Sequence, residues 1–220
     1  MLKEKPIDEL LRVMARLRAP DGCPWDREQD HNSIRLNAVE EVYELVDAIE
    51  SDDDEEMLEE LGDLLLQVVF HAQMARERKV FDFDDIARAI TEKLIRRHPH
   101  VFEDAKVEGV DEVWDQWDAI KEKEKEGTVH QRKSALDGIP QHLPALMRAH
   151  ELVKKARKHN LFPEEERTRT KADLREELFN LVQNAQSNGW QAEELLREEV
   201  KKQENILRNK EKARQGGKHA

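Results

Sequence analysis

The sequence predicts an all-α protein, a helical bundle, on three observations. Helix formers such as Leu, Glu, Lys, Arg and Ala dominate the 220 residues, and aromatics make up only 5%. Apolar residues recur at helical spacing in several segments, and strand-like alternation is nearly absent. The length suffices for one large or two small domains.

Ile7 to Leu17 reads as an amphipathic helix, with Ile7, Leu10, Leu11, Met14 and Leu17 on one stripe. Pro20, Gly22 and Pro24 break it over residues 19–26 and leave Trp25 in a loop. Two roles suit that tryptophan: stacking on a nucleobase, or capping a core. The next helix, from Leu36, is expected to turn Leu36, Val39, Tyr43 and Val46 inward, with Glu40, Glu44 and Asp47 on the neighbouring arc. After a polar break at Ser51 to Asp54, a second acidic segment, Glu59 to Asp63, runs into Leu64–Phe70. That run is apolar nearly all round, the pattern of a helix buried on several sides.

Asp82 to Asp84 offers an N-cap for a further helix with Ile86, Ile90 and Leu94 in register. It closes on Lys93, Arg96 and Arg97 before Pro99. Cations in a last turn are ordinary partners of the helix dipole, although Lys93 and Arg97 also share a face. Val110 to Lys125 is helical, with Val113, Trp114, Trp117 and Ile120 on one side, and its charged end reads as the start of a linker.

The chemistry concentrates between Leu36 and Met74. Glu41 and Glu44 are i and i+3, as are Glu60 and Asp63, so each pair projects from one helix face as a two-carboxylate claw. The short break favours an antiparallel hairpin that sets the claws side by side. Four carboxylates so close repel one another unless a cation neutralises them, and all-oxygen ligands suit Mg²⁺ or Mn²⁺ better than zinc or copper. A di-iron bundle would show Glu-x-x-His on two helices, whereas only Glu28 and His31 have that spacing. His150-Glu151 lacks the second His of a zinc-protease motif, since Lys154 stands there. Either acidic pair alone would pass for a solvated face. Acids at the head of an apolar helix are costly without a partner, which favours a metal site. Glu40 lies outside the claws; a general base, an orienting group and a solvated acid are all compatible with its position.

These residues resemble the MazG family of nucleoside triphosphate pyrophosphohydrolases. Glu-Glu-x-x-Glu followed by Glu-x-x-Asp before a Leu-Leu-rich helix carries the resemblance, with Gly22–Asp26, Gln67–Gln73, Lys93–Phe102 and Ser134–Pro140 in the usual order. The resemblance implies the all-α NTP pyrophosphatase fold, a dimer, and metal-dependent hydrolysis of nucleoside triphosphates to monophosphate and pyrophosphate, as in nucleotide pool cleansing. It implies Mg²⁺, with Mn²⁺ as a substitute, held by Glu41, Glu44, Glu60 and Asp63. It also implies that Lys93, Arg96 and Arg97 contact phosphates. The competing reading is a non-catalytic helical regulator that binds a nucleotide or a protein and keeps the cage as a structural metal site.

The expected organisation is an active helical domain over 1–125, a linker over 126–142, and a shortened, degenerate second unit over 143–208. A disordered tail is expected over 209–220. In the second unit, Asp173-Leu174-Arg175-Glu176 looks like a blurred copy of Glu60-Leu61-Gly62-Asp63, and residues 164–172 are too few for the missing helix of the partner claw and its turn. Lys202 matches Lys93, but Asn205 and Ile206 stand where Arg96 and Arg97 would be.

The formal net charge of −12 argues against a duplex nucleic-acid partner. Cys23 is the only cysteine, so no internal disulfide can form. The start at Met1 to Pro6 is polar, no run is long enough to span a bilayer, and a cytoplasmic location is the expectation.

Overall fold

The computed structural model describes residues 5–129, 131–162 and 169–216. Among these it contains ten helices and no strand, as the composition predicts. The chain divides into two compact units, Met1–Val113 and Trp114–Ala220.

In the first unit, α1 (Pro6–Leu17) starts with a proline at its first position, where the missing N–H is no loss. Its stripe packs as expected. Met14 is buried with Ile34, Val69, Phe70 and Met74, and Ile7, Leu10, Leu11 and Leu17 lie against them. Side chains of this size contribute about 1.5–3 kcal/mol each when fully buried. The chain then doubles back tightly. Gly22 donates to the Ala19 carbonyl and Cys23 to that of Leu17, and a Cβ at Gly22 would stand 2.1 Å from the Leu17 oxygen. Only glycine fits. Trp25, expected in a loop, lies on the short helix α2 (Pro24–Glu28), because Pro24 supplies a helix start in place of a break.

Two long helices follow, α3 (Asn37–Glu50) and α4 (Asp54–Glu77), closed by a three-residue turn. Asp52 takes a left-handed backbone, φ 55°, and the Asp53 side chain caps α4 by accepting from the Glu55 and Glu56 amides. The hairpin is the expected one, but its packed face is not. Leu36, Val39, Tyr43 and Val46 are 65%, 48%, 53% and 41% exposed. The covered stripe of α3 is Ala38, Glu41, Leu45 and Ala48, at the same helical spacing on another face. Small alanines let the helices approach closely. The run Leu64–Phe70 is covered on more than one side, as expected, at Gln67, Val69 and Phe70, while Leu65 and Val68 leave an exposed strip.

Helix α5 (Phe83–Arg97) opens with the expected cap. Asp82 and Asp85 form a reciprocal capping box, each side chain bonded to the other's backbone amide. It packs on α4, and the short α6 (Pro99–Phe102) follows.

Helix α7 (Val110–Lys125) spans the boundary between the units, and its Trp114 and Trp117 rings meet edge to face at 5.2 Å. The second unit holds α8 (Ala145–Lys158), α9 (Lys171–Ser187) and α10 (Ala192–Gly216); α8 and α10 share a core of Leu136, Leu152, Ala156, Leu161, Val200 and Leu207, and α9 packs on α10. Beside that core, Glu204 bonds both Arg148 and Arg208, and Arg208 also reaches Asp137.

The expected disorder from residue 209 is corrected by α10, which continues through Gly216. Polar tethers hold it where no apolar stripe does. Glu211 accepts from the Ser134 hydroxyl and the Ala135 amide, and Arg214 donates to the Asn160 carbonyl. Residues 217–220 of the expected tail, and 164–168 of the expected short connection, lie outside the described residues.

Candidate active site

The i, i+3 spacing of the acids puts their side chains on single faces of α3 and α4, and the turn brings those faces together. Glu41, Glu60 and Asp63 are half-buried, and each offers a carboxylate oxygen within 4.8 Å of the others. Glu44 lies outside this group and is exposed, yet close enough for its charge to act on both Glu41 and Glu60. Glu40 is exposed beside Glu41.

The electrostatics follow from that crowding. Burial, then the neighbouring Asp63 and Glu44 carboxylates, pushes the Glu41 carboxyl up, while a hydrogen bond from Gln67 opposes the rise. Desolvation also raises Glu60, followed by repulsion from Glu44, Asp63 and Glu41. One oxygen of Glu60, Oε2, is enclosed with no hydrogen-bond partner. An enclosed carboxylate oxygen without a donor is costly unless a cation meets it. The residues present therefore fit a hard divalent ion, whose preferred ligands are carboxylate oxygens.

The other expected site residues stand on α2 and α5. Trp25 is 56% exposed and sets its ring edge to face with Phe70 at 6.4 Å, so it covers part of the core while keeping a free surface. Lys93 and Arg96 are exposed and Arg97 half-buried, at the end of α5.

Two residues of the Gln67–Gln73 motif, to which the sequence alone gives no individual role, also matter here. Gln67 is buried and donates from Nε2 to Glu41 Oε1 at 3.2 Å. Its signal was a lone amide within an apolar run. His71, one turn further along α4, stacks on His31 with ring centroids 5.1 Å apart and the two Nδ1 atoms at 2.8 Å. Burial, then the His31 charge, holds His71 below its ordinary range.

Helices α3 and α4 and their shared carboxylates define the class, an all-α protein with an acidic cluster enclosed in a helical hairpin. The family model of the MazG nucleotide pyrophosphohydrolase domain matches residues 29–102, which hold that hairpin and α5. The chain is 52% identical over 150 residues to a nucleoside triphosphate pyrophosphohydrolase of Escherichia coli strain K12, covering 68% of this chain and 56% of that protein. It is 46% identical over 149 residues to nucleoside triphosphate pyrophosphohydrolase/pyrophosphatase MazG of Thermotoga maritima, with the same coverage of 68% and 56%. An uncharacterized 26.1 kDa protein of Streptomyces cacaoi is 39% identical over 191 residues, 86% of this chain and 76% of that one. The chain belongs to the MazG family. It spans about half the length of the two named pyrophosphohydrolases. No helix among the described residues is long and apolar enough to cross a membrane.

Proposed function

We propose that the chain hydrolyses nucleoside triphosphates to the monophosphate and pyrophosphate, using Mg²⁺, with Mn²⁺ as a substitute. The observation that carries this reading is the enclosed, unpartnered Glu60 Oε2 beside the Glu41 and Asp63 carboxylates. The names of the relatives from Escherichia coli and Thermotoga maritima agree with it.

In this reading Glu41, Glu44, Glu60 and Asp63 hold the divalent ion, with Glu44 swinging in from its exposed position. The ion, when bound, neutralises phosphate oxygens and makes a water more acidic. Glu40 takes the proton as water attacks the α-phosphorus and pyrophosphate departs. Lys93, Arg96 and Arg97 offset the charge that gathers on the departing phosphates. The exposed face of Trp25 stacks on the nucleobase.

Two copies pair through the uncovered apolar arc of α3, where Val39, Tyr43 and Val46 are roughly half exposed. The second unit is a shortened, inactive copy, and the protein works in the cytoplasm on free nucleotides rather than on nucleic acid. The test is pyrophosphate release from a panel of nucleotides with and without Mg²⁺. Pyrophosphate that appears only with the ion is expected. Orthophosphate in its place overturns the reaction class, and tight nucleotide binding without turnover favours a regulator.

A further inference from the structure

Gln67 is the only polar residue in the run Leu64 to Phe70, and it is only 8% exposed. A side-chain amide buried this far has lost water at both ends, so its remaining bonds account for its presence. Its Nε2 donates to Glu41 Oε1 at 3.2 Å, and its Oε1 is enclosed with no hydrogen-bond partner. The amide cannot be turned round to exchange these roles. A carboxylate only accepts, so only the NH₂ end can meet Glu41. Seven residues earlier on the same face of α4, Glu60 Oε2 is enclosed and unpartnered in the same way. Two acceptors thus stand without donors on one stripe, on either side of Asp63.

We infer that Gln67 is a positioning residue for the carboxylate cluster. It holds one oxygen of Glu41 so that the other is free for a divalent ion, and it reserves its own Oε1 for a donor that arrives with the ion, a coordinated water. This rests on reading the cluster as a divalent-cation site. Partners that orient the ligands of a metal site are worth about 10–100-fold in affinity or activity.

The test uses the full chain and Mn²⁺ alone. Calorimetric titration of Gln67→Met, which keeps the volume and removes the amide, is expected to show Mn²⁺ binding weakened about 10-fold. The thermal midpoint without metal should stay close to that of the parent protein. With nucleotide and Mg²⁺, the concentration of ion needed for half-maximal turnover should rise by a similar factor, while KM for nucleotide at saturating ion should hardly move. Gln67→Asn keeps the amide but withdraws it by one methylene, beyond reach of Glu41, and should bind Mn²⁺ as weakly; it serves if the methionine variant does not fold. Parental Mn²⁺ affinity in a folded variant overturns the inference and leaves the divalent-ion reading standing. Absence of Mn²⁺ binding by the unsubstituted protein overturns both.

Discussion

Arg18 and Glu77, 59 residues apart in sequence, form a two-pronged pair in which Nε and Nη2 each donate to one carboxylate oxygen at 2.8 Å. The Arg18 side chain is 8% exposed, lies over the Phe70 ring at 5.4 Å, and also donates to the carbonyls of Asp26 and Gln29. One guanidinium thus fastens the end of α1, the segment after Trp25 and the end of α4.

Arg18→Met should lower stability by about 2 kcal/mol, measured by urea unfolding, since it leaves two carbonyls and a carboxylate without their donor. The pair also sets a pH dependence. The Arg18 bond holds Glu77 below its ordinary value of 4.5, so the folded state favours the ionised form. That contribution is complete above pH 4.5 and is lost as pH falls through the lower folded value. In Arg18→Met the acid limb should be shallower.

The opposite sign applies to the cluster. Glu41 and Glu60 are raised above 4.5, so the folded chain binds protons more tightly than the unfolded one. Without a divalent ion, stability should fall as pH rises from 4.5 through the folded values. Saturating Mn²⁺ should therefore raise the thermal midpoint more at pH 7.5 than at pH 4.5. Glu60→Gln should reduce that difference, leaving the part due to Glu41, and lower turnover by more than about 100-fold, with the helical circular-dichroism signal unchanged. Full activity in Glu60→Gln or Glu41→Gln would sink the ligand assignment.

His31 and His71 can share at most one proton along their 2.8 Å Nδ1 contact. With His71 held below 6.5, its neutral form is favoured in the folded state, and stability should decline as pH drops below 6.5. His71→Phe keeps a ring for stacking and removes the nitrogen. Its midpoint should change less between pH 7.5 and 5.5 than the parent's, and an equal change would refute the assignment.

On α9, the Asp173 carboxylate accepts from the Thr170 amide and hydroxyl, as one half of a capping box. That engagement ties it to a helix end rather than to a cation. Thr170→Ala should cost about 1 kcal/mol of stability. Neither it nor Asp173→Asn should change turnover.

The hairpin, the first helix and the Asp82 cap were legible in the sequence because each depends on short-range spacing. The burial of Glu41 was not. Periodicity marks which face of a helix is apolar but not which neighbour covers it, and on α3 the covered stripe is the weaker one, two alanines, Leu45 and an acid. The apolar arc then took the place of the real contact, although the claw spacing survived the error. Helix α10 was shortened for a related reason. Glu211 and Arg214 hold its end by bonds to Ser134, Ala135 and Asn160, and hydropathy is blind to partners more than 50 positions away.

Those long-distance bonds bear on the order in which the second unit can form. Glu193 accepts from the Ala145 amide at the start of α8, 48 residues upstream, and Glu211 secures the turn at Ser134 and Ala135. Val200 and Leu207 complete the core from the same helix. A chain made only as far as α9 has neither the cap nor the closing wall, so α8 stays unfastened until α10 is there to meet it.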